Sequence, residues 1–389
     1  MLKPKVPKTI EYIINKLLEA GFQAGLVGGS LRNMLLNIPV KDYDLATSAS
    51  TKEIKALFYQ EKILDHGLKY GTLTLLIDGE SIEVTTFRKE TGYPDHRHPD
   101  QVEFISDLKT DLSRRDFTIN SLFYNQKTGL TDYFNGLADL RNKMIRCVGN
   151  SEERFEEDPL RILRALRFAS QLGFEIEEET EKGIQTKYPL LVHISKERIA
   201  NELVGIFSGN DYLKILDNYY QLLYFLIPEL NKKPVDNTYY QQLHLRLAAF
   251  FLNLQEGFSF KDLLKQLPLN VSQELNKHDL KQIIILLEHK NFPLTKDHVS
   301  QIRLWQSLGW NKELYQMWIQ LFYPDKSLPL KELPSYEFKD LKITGKELLE
   351  AGYQPDQIKE TLNYLFLQVA TGNLENIYVK LQDHIKGKL

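Results

Sequence analysis

A change of residue pattern near Ser151 constrains the fold of this 389-residue chain more than any other feature. Over residues 1–140, short β-like apolar runs alternate with segments of helical spacing, which is typical of a mixed sheet packed with helices. From Ser151 onward the strand signals stop, and long helical patterns interrupted by prolines follow. The sequence therefore predicts an α+β head followed by an elongated all-α region. The predicted strands are Ala24–Val27, Tyr43–Ala46, Thr72–Ile77, Ile82–Phe87, Val102–Ile105 and Leu122–Tyr124.

The composition is that of an ordinary globular protein. With 42% apolar and 26% charged residues, the chain is unlike disordered, collagen-like or disulfide-stapled proteins. No apolar run approaches the about 20 residues that a membrane span requires, and residues 1–21 are typical of an amphipathic helix rather than a signal peptide. Cys147 is the single cysteine, so no internal disulfide can form, and a reducing cytoplasm is the simple interpretation.

Arginine is distributed unevenly along the chain. The formal net charge of −3 argues against wholesale electrostatic binding of nucleic acid. However, 12 of the 14 arginines lie before residue 200, and the remaining stretch uses lysine almost exclusively. Arginine can bind phosphate through two parallel hydrogen bonds, whereas lysine is a solvated point charge. Compositional drift is the alternative, but the asymmetry favours a phosphate-binding site in the N-terminal half.

A glycine pair and a pair of aspartates suggest a metal and phosphate site. Gly28 and Gly29 follow an apolar run and begin a helical segment that contains Arg32. Glycine lets the backbone approach a ligand closely, and N–H groups at a helix start favour phosphate. Asp42 and Asp44 share one face of a predicted strand, where two carboxylates repel each other unless a cation such as Mg²⁺ lies between them. A solvated turn is the alternative for each piece.

A third carboxylate and an arginine stripe extend this cluster. Glu83 lies on a predicted neighbouring strand, and Asp158 precedes a proline, which predicts an N-cap with proline at the first helical position. Arg161, Arg164 and Arg167 then recur at every third residue, with only apolar residues between them. Guanidinium groups bracketed by core residues need anionic or polar partners. Structural ion pairing to acidic residues of the preceding segment is the alternative, namely Glu152, Glu153, Glu156 and Glu157.

These motifs resemble those of class II tRNA nucleotidyltransferases, the CCA-adding enzymes, and bacterial poly(A) polymerases share them. The resemblance is carried, in order, by GGSLRN with KDYDLAT, by RRDFTIN and by EDPLRILRALRFA, and it covers residues 20–208 closely. It implies a polymerase-beta-like nucleotidyltransferase head. The implied parts are a catalytic head at 1–140, a helical neck for base recognition at 141–208, a helical body at 209–325 and a tRNA-binding helical tail at 326–389.

The resemblance also assigns roles to residues. Mg²⁺ would bind Asp42 and Asp44, with Glu83 as the third catalytic carboxylate. The nucleotide contacts implied are Gly29 and Arg32, then Arg115, Arg164 and Arg167 for the triphosphate, and Asp158 with Arg161 for the base. The implied reaction is template-independent CCA addition, in which the tRNA 3′-hydroxyl attacks the α-phosphorus of CTP or ATP and pyrophosphate leaves, assisted by two Mg²⁺ ions.

The base-reading pair also makes physical sense without the resemblance. Cytosine and adenine both present an amino donor beside a ring-nitrogen acceptor, whereas uracil and guanine present a carbonyl beside an N–H. A carboxylate acceptor next to a guanidinium donor therefore fits C and A and rejects U and G. One such pair, Asp158 with Arg161, could select both nucleotides without a nucleic-acid template.

Several alternatives remain open at the level of sequence. Residues 87–98 resemble the loop that in this family is associated with the switch from C to A addition, which argues against CC-only but not against A-only addition. The balanced charge of residues 326–389, with 9 lysines and 9 acidic residues, argues against a poly(A) polymerase, which commonly carries a basic extension. Asn33 replaces the Asp usual in the family; it keeps an acceptor but loses the charge. A non-catalytic RNA-binding relative is the remaining possibility. Thr344–Lys346 is either a phosphate contact or a capped helix start.

Overall fold

A computed structural model describes residues 4–40, 42–65, 67–230, 240–252, 254, 259–269, 274–288, 312–322, 341–370 and 374–386. The chain divides into two compact units. The first comprises Met1–Tyr239 and Asn253–Asn276, and the second comprises Tyr240–Leu252 and Lys277–Leu389. Among the described residues, no helix combines the length and the apolar character that crossing a membrane requires.

A seven-stranded mixed sheet organises the head. The strand order is β3-β4-β5-β2-β1-β8-β9, and only β2 and β5 run parallel to each other. The sheet strands are β1 (Ala24–Val27), β2 (Tyr43–Thr47), β3 (Lys62–Leu64), β4 (Thr72–Ile77), β5 (Glu80–Thr86), β8 (Leu122–Asn125) and β9 (Gly129–Asp132). The helices of the head are α1 (Lys8–Glu19), α2 (Gly28–Leu35), α3 (Thr51–Leu57), α4 (Leu108–Ser113) and α5 (Gly136–Arg141).

After β5 the chain forms a two-stranded hairpin that is not part of the seven-stranded sheet. Its strands are β6 (Arg88–Thr91) and β7 (Gln101–Phe104), which pair antiparallel. The sequence predicted the second strand but not the first, because the segment Arg-Lys-Glu-Thr has no apolar residue to set an alternation. The pairing of β6 with β7, and not its own hydrophobicity, makes it a strand.

The neck is helical, as the sequence predicts, with one exception. Its helices are α6 (Ser151–Glu157), α7 (Leu160–Leu172), α8 (Glu178–Lys187) and α9 (Lys196–Ser208), and α10 (Tyr212–Asn218) and α11 (Tyr220–Leu226) follow at the start of the predicted body. The exception is β11 (Glu175–Ile176), a two-residue strand that pairs parallel with β10 (Met144–Ile145). The expectation that strands stop at Ser151 is therefore wrong at this point, because two residues are too few to give a periodic signal.

The remaining helices belong mainly to the second unit. They are α12 (Leu243–Phe251), α14 (Lys277–Glu288), α15 (Lys312–Phe322), α16 (Gly345–Glu350), α17 (Pro355–Ala370) and α18 (Tyr378–Lys386), while α13 (Phe260–Gln266) is part of the first unit. A buried apolar cluster joins α16, α17 and α18, formed by Leu341, Ile343, Leu348, Leu365, Phe366, Val369, Leu381 and Ile385. The boundary predicted within 323–336 lies outside the described residues.

Candidate active site

Three acidic residues lie on or next to β2 and β5, where these two strands run side by side. The parallel register places Asp44 directly opposite Glu83, and Asp42 immediately precedes β2. Asp42 and Glu83 are exposed, whereas Asp44 is half-buried. Burial raises the pKa of Asp44, and the charges of Glu83 and Asp42 add to this effect against the opposing charge of Arg115. Crowding of this kind is relieved by a divalent cation, whose preferred ligands are carboxylate oxygens.

The backbone at the start of α2 leaves room beside these carboxylates. Gly28 has a φ of +67°, and a Cβ at this position would lie 3.2 Å from Asp44 Oδ2 and 3.5 Å from Arg115 Nη1. A side chain here would therefore intrude between the carboxylate and the guanidinium, in a backbone conformation that L-residues avoid. The hydroxyl of Ser30 donates to the Val27 carbonyl oxygen and accepts a hydrogen bond from the Asp44 N–H at 3.3 Å. The first turn of α2 and the start of β2 are thus fixed to each other.

The structure offers a pair of acidic side chains for a metal rather than a complete set of three. Within the described ranges, no three His, Cys, Asp or Glu side chains converge as a ready metal site. Asp42 and Asp44 are two residues apart, and Glu83 is the register neighbour of Asp44. Two carboxylates leave most coordination positions to water and substrate phosphates, which is how Mg²⁺ is usually held.

Arg32 is a buried guanidinium with amide partners. It is 7% exposed, and it donates to Asn33 Oδ1 at 2.8 and 3.1 Å and to Asn120 Oδ1 at 2.7 Å. Burial lowers the pKa of Arg32 to about 10, against the opposing charge of Asp116. Asn33, the departure from the family pattern, therefore orients Arg32 without neutralising it. Gly29 lies against the same guanidinium, since a Cβ there would be 3.5 Å from Arg32 Nη2.

Arg115 lies between two acidic groups. Its Nη2 is 3.3 Å from Asp111 Oδ2, and its charge also acts on Asp44. Its Nε is buried without a hydrogen-bond partner. A buried donor that makes no hydrogen bond costs free energy, so Arg115 has capacity left for a further anionic ligand.

The arginine stripe of α7 is paired with acids from distant parts of the chain. Arg164 donates to Asp116 Oδ2 at 2.7 and 3.0 Å, and Arg167 donates to Glu202 Oε2 at 2.6 Å. Neither uses the preceding acidic segment, so that interpretation is wrong for these two residues. It is right for Arg161, which contacts Glu157 at 2.7 Å. The side chains of Arg164 and Arg167 are 33% and 22% exposed, so both remain accessible to solvent.

Asp116 and Asp158 differ from their simplest sequence interpretations. Asp116, which belongs to the RRDFTIN motif, is a nearly buried ion-pair partner: its side chain is 10% exposed, it holds Arg164, and it accepts a hydrogen bond from Asn120 Nδ2 at 3.0 Å. The helix α7 begins at Leu160, so Asp158 precedes the N-cap position, although its Oδ1 accepts from the Leu160 N–H at 3.2 Å.

The two predicted base-reading residues are held by other charges in this structure. Asp158 Oδ2 is 2.8 Å from Arg198 Nη2, and Arg161 is paired with Glu157 and with two backbone carbonyl oxygens. Sequence reasoning did not single out Arg198 for this contact. Arg198 lies 40 positions after Asp158, so the pairing has no local signal in the sequence.

Two segments of the chain match known protein families. Residues 24–146 match a family described as the Poly A polymerase head domain, and residues 173–233 match one described as a probable RNA and SrmB-binding site of polymerase A. The CCA-adding enzyme of Pediococcus pentosaceus is 38% identical over 94% of this chain and 93% of its own length. That of Ligilactobacillus salivarius is also 38% identical, over 94% and 92%. The chain belongs to the CCA-adding enzyme family.

Solved structures of the same family support the fold. A Bacillus stearothermophilus CCA-adding enzyme in complex with CTP matches with a TM-score of 0.74 and 26% identity, covering 100% of this chain and 98% of that one. A Thermotoga maritima CCA-adding enzyme complexed with tRNA matches with a TM-score of 0.70 at 20% identity, covering 100% and 97%. The predicted polymerase-beta-like head followed by helices is confirmed. Nucleotidyltransferases of this family use divalent metal ions.

Proposed function

We propose that this protein adds C and A to the 3′ end of tRNA from CTP and ATP, without a nucleic-acid template and with release of pyrophosphate. One observation carries the proposal. The carboxylate pair, the glycine-bearing helix start beside it and a cluster of arginines, some of them partly exposed to solvent, all lie in one compact unit. Two relatives that are 38% identical to this chain over more than nine-tenths of their own length are CCA-adding enzymes.

The carboxylates at β2 would hold the metal, which we propose is Mg²⁺. Asp42 and Asp44 supply hard oxygen ligands, and Glu83 adds negative charge beside them. When bound, Mg²⁺ supplies activation of the attacking hydroxyl and stabilisation of the leaving pyrophosphate. The carboxylates alone fit this ion better than a soft metal, because no cysteine or histidine joins them in the described part of the chain.

The arginines would hold the triphosphate. Gly29 and Arg32 lie at the start of α2, where the backbone can approach a nucleotide, and Arg115 lies next to Asp44. Arg164 and Arg167 present partly exposed guanidinium groups from the neck. Each guanidinium can form paired hydrogen bonds to phosphate oxygens, which fixes the α-phosphorus for in-line attack.

Asp158 and Arg161 would read the base. An acceptor beside a donor fits the amino group and ring nitrogen shared by C and A. In this structure Asp158 is paired with Arg198 and Arg161 with Glu157. When a nucleotide enters, Asp158 and Arg161 would therefore release these ion pairs or share them with the base. Breaking a partly buried ion pair costs free energy. The site would therefore bind only bases that replace every hydrogen bond that is lost.

The alternatives can be separated by the products. A-only addition, poly(A) synthesis and a non-catalytic RNA-binding role remain the competing hypotheses from sequence, and the names of the relatives favour CCA addition over each. A cytoplasmic location stays a prediction that rests on the single cysteine.

Purified protein should be incubated with labelled CTP or ATP and with tRNA ending before the first C, after one C or after two C residues. We expect two C additions followed by one A, and none without a divalent cation. Extension only of the tRNA that already ends in CC would indicate an A-adding enzyme, and long A tracts a poly(A) polymerase. Absence of any product with Mg²⁺ would overturn the proposal.

The metal assignment is tested by a matched pair of variants. Asp42→Asn and Asp78→Asn each neutralise one exposed aspartate of the head. We expect Asp42→Asn to lower turnover about 10³-fold, because loss of a metal ligand removes several kcal/mol of transition-state stabilisation. Asp78→Asn should retain the turnover of the unmodified chain.

A further inference from the structure

Phe168 brings three guanidinium groups together around one aromatic ring. The guanidinium carbons of Arg32, Arg164 and Arg167 lie 4.7, 5.3 and 4.5 Å from the ring centroid. Arg32 comes from α2 of the head, whereas the other two come from α7 of the neck, the helix that carries Phe168 itself. The ring is 4% exposed, so it contacts these cations inside the protein rather than in water.

The three positively charged guanidinium groups repel one another, and the neighbouring carboxylates do not neutralise them equally. Arg164 is paired with Asp116 and Arg167 with Glu202, whereas Arg32 donates its hydrogen bonds to the amide oxygens of Asn33 and Asn120. After the larger effect of burial, the charges of Arg167 and Arg164 lower the pKa of Arg32 further. The negative face of an aromatic ring attracts cations and partly offsets this repulsion.

Hydrogen bonds and ion pairs also link the same arginines to one another. Asn120 accepts from Arg32 and donates to Asp116, and Asp116 accepts from Arg164. Arg164 Nη1 is 3.9 Å from Glu202, which also holds Arg167. These contacts form a continuous series from Arg32 in the head to Arg167 in the neck. Both of these end residues lie against the ring of Phe168.

The orientation of the ring is itself fixed. Phe117 contacts Phe168 edge to face, with centroids 5.8 Å apart and ring planes at 89°. Phe117 is fully buried. Because the ring cannot turn freely, it presents defined faces and edges to the guanidinium groups.

We infer that Phe168 is a positioning residue for nucleotide binding: its ring holds Arg32, Arg164 and Arg167 together so that they can bind one polyphosphate. The inference rests on the proposed function, in which these arginines hold the triphosphate. A leucine would fill much of the same volume but has no negative face, so the role requires an aromatic ring and not only an apolar side chain. The ring sets the affinity for CTP and ATP equally, because the triphosphate is common to both.

The test changes the charge distribution of the ring and little else. Phenylalanine at position 168 is replaced in the full chain by 4-fluoro- and by 3,4,5-trifluorophenylalanine, since successive fluorines weaken the attraction of the ring for cations. The measurements are the Kd for CTP and for ATP by calorimetry, KM and kcat with tRNA, and Tm. We expect Kd and KM to rise stepwise, by about 2- to 10-fold for three fluorines, with kcat at saturating nucleotide and Tm unchanged.

Phe155 supplies the matched control. It is fully buried in the neighbouring helix α6, and the part of the chain that the structure describes places no guanidinium against its ring. The same fluorinated series at position 155 should leave Kd and KM unchanged. Equal changes at both positions, or an unchanged Kd at position 168, would overturn the inference while leaving CCA addition by the unmodified protein intact. Failure of the unmodified protein to add nucleotides would instead overturn the proposed function, and the calorimetric series would still decide the role of the ring.

Discussion

Asn33 stands where the resemblance to CCA-adding enzymes leads us to expect an Asp, and the structure gives it a definite contact. Its side-chain oxygen accepts two hydrogen bonds from Arg32, one from Nε and one from Nη2. An Asp at this position would orient the guanidinium in the same way but would also neutralise it. The change from Asp to Asn therefore keeps the orientation of Arg32 and removes one negative charge beside it.

Two substitutions separate orientation from charge. Asn33→Asp should keep KM for CTP and ATP within about threefold, because both hydrogen bonds persist. Asn33→Ala should raise KM about tenfold, because a nearly buried guanidinium loses an acceptor worth about 1–2 kcal/mol. Steady-state kinetics with each nucleotide provide the measurement. If Asn33→Asp instead lowered kcat strongly at saturating nucleotide, the residue would act on the metal site and not on Arg32.

The environment of Asp116 predicts how the stability of the fold depends on pH. The neighbouring guanidinium of Arg164 and the hydrogen bond from Asn120 hold the pKa of Asp116 far below its usual range, in spite of burial. A carboxylate with a lowered pKa in the folded state stabilises the fold above its unfolded pKa of about 3.9, and this contribution declines as pH falls below that value.

Asp116→Asn should therefore reduce the free energy of unfolding at pH 7 by about 3 kcal/mol, because it leaves Arg164 without its closest carboxylate. Urea unfolding of both proteins at several pH values measures the difference. We expect the gap between them to be full at pH 6–8 and to narrow as pH falls toward about 3. A gap that grew on acidification would contradict the assigned ion pair.

At the scale of elements, His96 near the tip of the hairpin β6–β7 contacts the neck. His96 Nδ1 donates to the carbonyl oxygen of Glu156 at 2.7 Å, and its ring stacks on His193 with centroids 4.8 Å apart. His98, two residues away, contacts Asp95 and Tyr70 within the head instead. A cleft of about 890 Å³ lies between the hairpin and the neck helices.

His96→Ala should therefore loosen the hairpin and the neck together. Loss of one hydrogen bond and one ring contact amounts to about 1 kcal/mol, or roughly fivefold faster amide exchange. Hydrogen exchange followed by mass spectrometry should show this increase both in 92–100 and in Tyr188–His193. His98→Ala should raise exchange in the hairpin alone. Equal effects of the two substitutions on the neck would mean that His96 does not carry the contact.

The elements that could be predicted from sequence are those with their own periodic signal. The strands Ala24–Val27 and Thr72–Ile77 agree with the prediction to the residue, because apolar runs bounded by turns mark buried strands. The strand Arg88–Thr91 could not be predicted, since its formation depends on partner residues 10 to 16 positions away. For the same reason, the pairing of Arg164 with Asp116 across 48 residues has no local signature.

One ambiguous element is resolved by local chemistry. Thr344 was open to interpretation as a phosphate contact or as a helix start. In the structure its backbone N–H donates to Glu347 Oε2 at 2.6 Å, and both halves of a capping box are present at the start of α16. The structure therefore shows the capped helix start, one of the two interpretations left open, and the pattern Thr-x-x-Glu is its sequence signal.

At the scale of the whole molecule, the tRNA-binding tail that the sequence predicts remains to be tested. The described residues from 341 onward form a buried cluster of their own, joined by α16, α17 and α18. A domain with an independent apolar core can lose its packing without unfolding a separate unit. The two adjacent leucines of α16 allow this to be tested, because Leu348 is fully buried in the cluster whereas Leu349 is 49% exposed.

Leu348→Asp should unpack the cluster, because it buries a carboxylate among apolar side chains at a cost of several kcal/mol. If the tail binds tRNA, KM for tRNA should rise at least about tenfold, which corresponds to 1.4 kcal/mol of lost binding. The calorimetric Kd for CTP should stay unchanged, since all proposed nucleotide contacts lie in the other unit. Leu349→Asp adds the same charge on the surface and should leave both values unchanged. An unchanged KM for tRNA in a Leu348→Asp protein that has lost helical circular dichroism would exclude the tail from tRNA binding, and equal effects of the two variants would assign the loss to charge and not to the fold of the tail.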